Sequence, residues 1–428
     1  MQSVLGDSMG KKAVTKNNHN ADGNPPLRVI LHCDQFAPMP AAAAYRMKTL
    51  AEAFATAGDD VTVITGSINQ EYGEYHPHGV KIEYVPTVPL GRKTLFRRIQ
   101  NMMSFALGSI RTARKCGEVD VVISSIPTPF IGLAGLWIAR KKHAKFVLDV
   151  RDIWPEVAIE MGVFSEDGFY SRLFRIISNF LYRKADAITV VSPGKAEKIA
   201  EKLRDDGKIK LFSNGFDEEI TQFEDDINVI QQYDLNHKST CVYIGNLGLA
   251  QNLGVLLDAA GKLRSEHLQF LIFGTGAEER LLRDRIEKEK LKNVRICGVL
   301  EHHLVPAVLR HASISYISLK TAAMRDSVPT KLYESMGLGC PVLLVAEGDA
   351  ADVVTETGFG RSISPNDADQ VALVLQDMLS HYDSLMERQN DAMRIMRAKY
   401  SRQEIAMQYA EYITQIMKGK EEIPAWSM

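Results

Sequence analysis

Val242-Tyr243-Ile244-Gly245-Asn246-Leu247-Gly248-Leu249-Ala250-Gln251-Asn252-Leu253-Gly254-Val255-Leu256-Leu257-Asp258-Ala259-Ala260 decides the fold. A short β-branched and aromatic run enters a glycine turn, and a helical apolar pattern leaves it. That is the strand–turn–helix unit of a parallel α/β sheet. Downstream the unit recurs. Strands are predicted at Thr240–Gly245, Leu268–Phe273, Val294–Cys297, Ile314–Ile317, Pro341–Val345 and Phe359–Ile363. Helices fit between and after them at Leu253–Leu263, Glu278–Glu289, Val305–His311, Lys331–Leu338, Asp367–Leu379 and Ser384–Ala398. Upstream, β-branched runs fall at Leu27–Cys33, Asp60–Thr65, Val80–Val85, Val119–Ser124, Phe146–Val150, Ala187–Ser192 and Lys208–Phe212, with helical periodicity at Ala42–Ala57 and Phe130–Lys142. The pattern predicts two doubly wound, Rossmann-like α/β domains, 27–215 and 216–399. Between them lies the acidic stretch Asp217–Lys238, which has no clear period. A last amphipathic helix is expected at Arg402–Met417. Residues 1–26 read as a disordered leader and 419–428 as a tail. Two such domains predict a cleft faced by strand C-terminal ends, where open α/β sheets bind ligands.

Composition narrows the function. The 428 residues carry 51 Lys and Arg against 53 Asp and Glu, a balance that argues against a nucleic-acid-coating protein. Cys33, Cys116, Cys241, Cys297 and Cys340 are odd in number and widely spaced. They read as buried reduced thiols of a cytoplasmic protein, not as a disulfide framework or zinc site. The longest nearly apolar run, Ile126–Ala139, is about 14 residues and contains prolines, whereas a spanning helix needs roughly 20.

Phosphate chemistry is written into the turns. Gly274-Thr275-Gly276 lacks the third glycine of a dinucleotide fingerprint, and no P-loop occurs. Glycines at 245, 248, 274 and 276 nevertheless let main chain approach a ligand. In Ser327-Val328-Pro329-Thr330-Lys331-Leu332-Tyr333-Glu334, Ser327 is placed to cap a helix that begins near Pro329. A helix start with free amides and the Lys331 charge suits an anion. Asp326 and Glu334 bracket the segment.

Asp326-x7-Glu334, the Pro329-Thr330-Lys331 helix start and Gly339-Cys340-Pro341-Val342 together resemble the C-terminal signature of family-four retaining glycosyltransferases of the GT-B fold. The resemblance extends over Val242–Ala260, Phe273–Glu278, Ala187–Pro193 and Asn214-Gly215, and spans roughly Leu27 to Met417. Arg151-Asp152-Ile153-Trp154-Pro155-Glu156 resembles a block of the subgroup that transfers N-acetylated amino sugars, such as fucosamine, onto bacterial polysaccharide precursors. The resemblance implies two Rossmann-like domains around a cleft, with residues 400–418 returning to the first. It implies a UDP-sugar donor in the second domain, a glycan or polyprenyl-diphosphate-linked acceptor in the first, and no obligatory metal or other cofactor. Glu334 would hold the ribose hydroxyls, Asp326 the donor sugar, and Lys331 with the amides near Ser327, Val328 and Thr330 the diphosphate. Gly245, Asn246, Gly248, Gly274, Gly276 and Val299 would border the nucleotide. Asp152 would orient the acceptor hydroxyl, with Arg151, Glu156 and Ala42 on the acceptor side. Trp154 reads as packing.

Several positions depart from the family. Asp326 stands where Glu is usual, and Asn246 and Asn252 stand where many relatives carry Arg and Lys. Pro40-Ala41-Ala42-Ala43-Ala44 replaces a loop with two glycines. Alanine at positive φ costs about 1–2 kcal/mol, which predicts a different loop shape. A non-catalytic scaffold of the same architecture, binding nucleotide sugar or a partner enzyme, is the other reading. Intact Asp326, Lys331 and Glu334 argue against it, and their spacing argues against a sugar-nucleotide epimerase.

No metal site is expected. Asp367-Ala368-Asp369 reads as helix-start acids, and His76, His78, His302 and His303 read as solvated. Gly91–Gly117 holds seven basic residues and no acid. Leu95, Ile99, Met102, Ala106 and Ile110 share one helical face. This basic amphipathic segment, with Arg97, Arg98 and Arg111, fits peripheral contact with an anionic membrane, and Tyr170–Lys184 is a second basic helix.

Overall fold

The structure is a computed structural model that describes residues 25–39, 41–66, 75, 77–88, 95–205, 207–264, 267–365 and 367–419. The leader up to residue 24, the tail from residue 420 and His76 lie outside the described residues. β1 (Arg28–His32), β2 (Asp60–Gly66), β3 (Val80–Val85), β4 (Val121–Ile126), β5 (Lys145–Val150), β6 (Ala187–Val190) and β7 (Ile209–Leu211) form one parallel sheet in the order β3-β2-β1-β4-β5-β6-β7. β8 (Ser239–Ile244), β9 (Leu268–Phe273), β10 (Val294–Gly298), β11 (Ile314–Ser318), β12 (Val342–Val345) and β13 (Gly360–Ile363) form the second, in the order β10-β9-β8-β11-β12-β13. Strands such as Val-Leu-Leu-Val at β12 are buried along their whole length, as parallel strands covered on both faces must be. In each sheet the order reverses beside its first strand, between β1 and β4 and between β8 and β11. Those switch points open the crevices in which such sheets hold ligands.

The chain crosses between the sheets twice, and the crossings hold each other. Phe216 N donates to Tyr400 O and Arg402 N to Phe216 O, each at 2.9 Å. Gly215 has φ +60, and a Cβ there would lie 2.6 Å from Tyr400 O, so glycine is required. Ser401 Oγ caps the returning helix Arg402–Met417 by accepting from Glu404 N. That helix buries Ile405, Tyr409 and Ile413 in the first domain's core beside Phe54 and Phe212.

Two stretches differ from expectation. Ser384–Ala398 is not one helix: it divides into Tyr382–Met386 and Gln389–Tyr400, and after the break Gln389 donates to Gly339 O. The unpatterned stretch after Asp217 holds the 3-10 turn Glu218–Gln222 and the helix Ile227–Gln232, capped by the carboxylates of Asp217 and Asp226. Both are too short to show a period. Among the described residues no helix is long and apolar enough to cross a membrane.

Candidate functional site

The second crevice is built at the ends of β8, β9 and β10. Gly245 and Gly274 adopt φ +148 and +136. A Cβ on Gly274 would stand 1.8 Å from Gly245 O, and one on Gly276 would stand 2.3 Å from Leu247 O. The strand ends are also tied by amides, Gly245 N to Phe273 O and Gly274 N to Gly298 O. The missing side chains of Gly274 and Gly276 therefore serve loop-on-loop packing, a reason the sequence reading did not supply. Gly248 likewise sits close to Asn246, its absent Cβ 2.8 Å from Nδ2. Gly298 has open space around it, and its neighbour Val299 is 72% exposed.

Lys331 stands over this floor. Its Nζ lies 3.9 Å from the Tyr243 ring centre, and the Tyr243 hydroxyl donates to Asn246 O at 2.7 Å. A side chain at Gly245 would displace the ammonium, because its Cβ would lie 2.6 Å from Nζ. Burial pushes Lys331 down to about 7, against the pull of Glu334. A desolvated ammonium on an aromatic face gains most from an incoming anion. The helix carrying it, Thr330–Gly337, begins one residue after Pro329, its N-cap. Ser327 is not the cap: its amide donates to Met324 O in the preceding turn. Val328 and Thr330 are half-buried beside it.

Glu334 reaches the chain crossing. Its Oε1 is 3.9 Å from Arg402, whose guanidinium is buried and donates to the carbonyls of Asn214 and Gly215. Burial lowers Arg402 below its usual range, while Glu334 and Asp217 raise it. Below, Arg46 bonds to Ser213 O and to Asp149, which also accepts from Thr189. Tyr45 stacks on His302 across the two domains, ring centres 5.1 Å apart. His302 is exposed, as expected, with one face of its ring on Tyr45, and His303 pairs with the exposed Glu301. Arg402, Arg46 and Tyr45 went unseen in the sequence, because the contacts that reveal them are made only by distant segments.

Asp326 is buried and faces the first domain. Lys198 Nζ is 2.9 Å from Oδ2 and Lys195 Nζ is 3.7 Å from Oδ1. Ser192 Oγ and Lys195 Nζ also donate to its carbonyl, at 2.6 and 2.5 Å.

In the first crevice Arg151 and Asp152 directly follow β5, as expected. Arg151 acts on Asp34, the carboxylate after β1. Burial raises Asp34 to about 6, and Arg151 pulls it back. The Nε of Arg151 is buried without a hydrogen-bond partner. Glu156 pairs with Lys202 inside the same domain. Trp154 packs against Phe164 and Phe174 and donates to Pro127 O. Ala42 opens the helix Ala42–Thr56 exposed, and Ala41 before it is extended at φ −140. The alanine loop thus takes a shape without the left-handed backbone that glycine would serve.

Asp367 caps the helix Ala368–Ser380 and Asp369 pairs with Lys262. Among the described residues no three His, Cys, Asp or Glu side chains cluster as metal ligands. The five cysteines are free, with Cys33, Cys241 and Cys340 buried. Helix Leu95–Ala113 turns Phe105, Ala106 and Ala113 into the core, so among the described side chains its apolar face is largely spent. Outward it presents Met103, Leu107 and Arg111. Arg97 is exposed too, while the Arg98 side chain lies outside the described residues. Arg114 and Lys141 flank the neighbouring Trp137 ring.

Two family models divide the chain between them. Glycosyltransferase Family 4 matches residues 43–220, and Glycosyl transferases group 1 matches residues 226–396. "Probable glycosyltransferase WbjE" of Pseudomonas aeruginosa is 24% identical over 327 residues, covering 76% of this chain and 79% of the relative. WcaI of Escherichia coli (strain K12), named for colanic acid biosynthesis, is 25% identical over 274 residues, covering 62% and 66%. Sucrose-phosphate synthase from Thermosynechococcus elongatus superposes with TM-score 0.75 at 18% identity, over 92% of this chain and all of that one. HepE of Anabaena, solved with UDP and glucose, superposes with TM-score 0.72 at 16% identity, over 91% of this chain and 100% of that one.

Proposed function

Because the chain is a glycosyltransferase, with an N-terminal domain of Glycosyltransferase Family 4 and a C-terminal domain of Glycosyl transferases group 1, we propose that it moves an N-acetylhexosamine-type sugar from a UDP donor, with retention, onto a glycan or polyprenyl-diphosphate-linked acceptor in cell-surface polysaccharide synthesis. The names of WbjE and WcaI and the UDP complex of HepE support this reading. The observation that carries it is the desolvated Lys331 ammonium over Tyr243, one helical turn from Glu334 and at the second sheet's switch point.

Glu334 receives the ribose hydroxyls, since a carboxylate accepts two hydrogen bonds. Lys331 and the helix start at Thr330 neutralise the diphosphate as it leaves. The bond from the anomeric carbon to the phosphate oxygen breaks as one forms to the acceptor oxygen on the same face. The departing phosphate oxygen takes the acceptor's proton, so no separate base is needed. Asp152, beside Arg151, orients the acceptor hydroxyl. This electrostatic arrangement works without a metal. Transfer takes place on the cytoplasmic side of a membrane, with the cationic face near Arg111 toward the lipid.

Calorimetry with UDP, GDP and ADP tests the donor. UDP should bind tightest, and Glu334→Ala should weaken it about 10-fold or more, the loss of one charged hydrogen-bonding group. A Glu334→Ala protein that binds UDP like the parent overturns the site. EDTA should leave turnover intact, whereas loss restored by Mn²⁺ overturns the metal-free mechanism.

A further inference from the structure

The family signature places Asp326 on the donor sugar, yet its carboxylate is turned away from Lys331's helix toward the other domain. Lys198 and Lys195 both approach it, at 2.9 and 3.7 Å, from the helix Pro193–Leu203. The main chain joins in: Ser192 and Lys195 hold the Asp326 carbonyl. Asp349, at the start of the helix Asp349–Thr357, accepts from Gly194 N at 2.9 Å. The approach is so close that a Cβ on Gly194 would lie 2.9 Å from the Asp326 Cβ and 3.1 Å from Asp349 Oδ2. Lys195 and Asp326 are 3% and 6% exposed, so the pair is desolvated. Removing Asp326 takes the ion-pair partner from buried Lys195, which is costly, while Lys198 keeps Glu160 at 3.4 Å.

We propose that Lys195 and Lys198 are positioning residues of the transfer reaction, which draw Asp326 into a strut between the domains and so fix the acceptor crevice against the donor crevice. This rests on the donor site proposed at Lys331 and Glu334. It explains why the signature carboxylate is one methylene shorter here. Asp326 has no sugar to reach, and the lysines come to it across the cleft. Donor binding does not need the strut, because Lys331 and Glu334 belong to the second domain alone. Transfer does need it, because the acceptor oxygen and the anomeric carbon are carried by different domains. A misplacement of about 1 Å between reacting groups costs about 100-fold in rate.

The test uses the full chain, with UDP and UDP-N-acetylglucosamine as binding probes and solution X-ray scattering for the domain arrangement. Lys198→Met and Asp326→Asn should each raise the radius of gyration, keep the UDP dissociation constant within about twofold, and keep the ratio between the two probes. Transfer from the best-binding UDP-sugar should fall about 10- to 100-fold in kcat with little change in donor KM. Lys198→Arg should recover most of the loss, and Lys198→Met should add little to Asp326→Asn. If Asp326→Asn erases the difference between the probes while scattering is unchanged, Asp326 is a sugar ligand and the strut is wrong. If scattering and turnover are both unchanged in Lys198→Met and in the Lys195→Met, Lys198→Met double variant, the lysines position nothing. Loss of the donor-site reading would show separately, as UDP binding indifferent to Glu334→Ala.

Discussion

The two crevices share a topology and differ in the chemistry of their first turn. β8 runs into Gly245 at φ +148 and stacks its loop on Gly274, and the gap left by the missing Cβ admits a lysine ammonium. β1 runs into Asp34 and on to the extended Ala41, and what meets there is a carboxyl raised to about 6 with Arg151 beside it. One turn is shaped for an anion. The other offers a carboxyl and a guanidinium near each other, groups that suit hydroxyls. In the proposed reading, the same switch-point geometry separates donor from acceptor by which side chains the loops can accommodate.

The sharpest way to break that contrast is to fill the donor floor. Gly274→Ala places a Cβ 1.8 Å from Gly245 O on a residue at φ +136. The backbone strain alone is of order 1–3 kcal/mol, and the clash adds to it. Denaturant melts should show a loss at the top of that range or beyond, together with loss of UDP binding. Gly298→Ala is the control: φ is +81 but nothing lies within 4 Å of its Cβ. It should cost about 1–2 kcal/mol. Equal losses at both positions would mean that the loops do not stack as described.

Next in size is a change on the other side. Asp152→Asn should lower transfer about 100-fold, within the usual range for a group that handles a reacting proton or hydroxyl. UDP affinity should not move, because Asp152 follows β5 in the first domain. If UDP binding falls in parallel, the division of labour between the crevices is wrong.

A tenfold effect is expected from pH. Lys331 loses its proton as pH rises through about 7. UDP affinity should therefore fall above pH 7 by up to about tenfold per pH unit, and Lys331→Met should flatten the profile. Stability of the free protein moves the opposite way. Between about pH 7 and the ordinary lysine range the unfolded chain holds a proton that the folded one has released, so stability rises with pH there. Titration calorimetry and melts across pH 6–9 read the two signs independently. A common sign would place the titrating group elsewhere.

These contrasts show what could be read in advance. The thirteen strands among the described residues are all legible, because buried parallel strands are β-branched runs separated by helical periods. Lys331, Glu334 and Arg151-Asp152 stand out as candidates because each lies in a local motif. Asp34 does not, since one acid after one strand has no pattern. Lys195 and Lys198 carry no signal, their surroundings being those of an ordinary helix beginning at Pro193. The stacking of Tyr45 on His302 and the approach of Arg402 to Glu334 join segments far apart in sequence. Such pairs appear only when the domains are placed together, with the two chain crossings bridged at Phe216 and Ser401.

The smallest effect concerns the outer side of the acceptor domain. A helix whose apolar face is already in the core cannot lie on a membrane by that face. It can still offer the outward stripe of Met103, Leu107 and Arg111, next to Arg114 and Lys141 around Trp137. Each Lys or Arg near an anionic surface is worth about 1 kcal/mol, roughly fivefold in binding. Arg111→Ser should then weaken flotation with anionic vesicles about fivefold, leaving neutral vesicles and UDP affinity unaffected. The effect should shrink as salt is raised, because the contact is electrostatic and screened. If the parent protein shows no preference for anionic vesicles, the patch is solvated surface. The acceptor must then reach Asp34 and Asp152 through water, and the two crevices differ only in their chemistry, not in what they face.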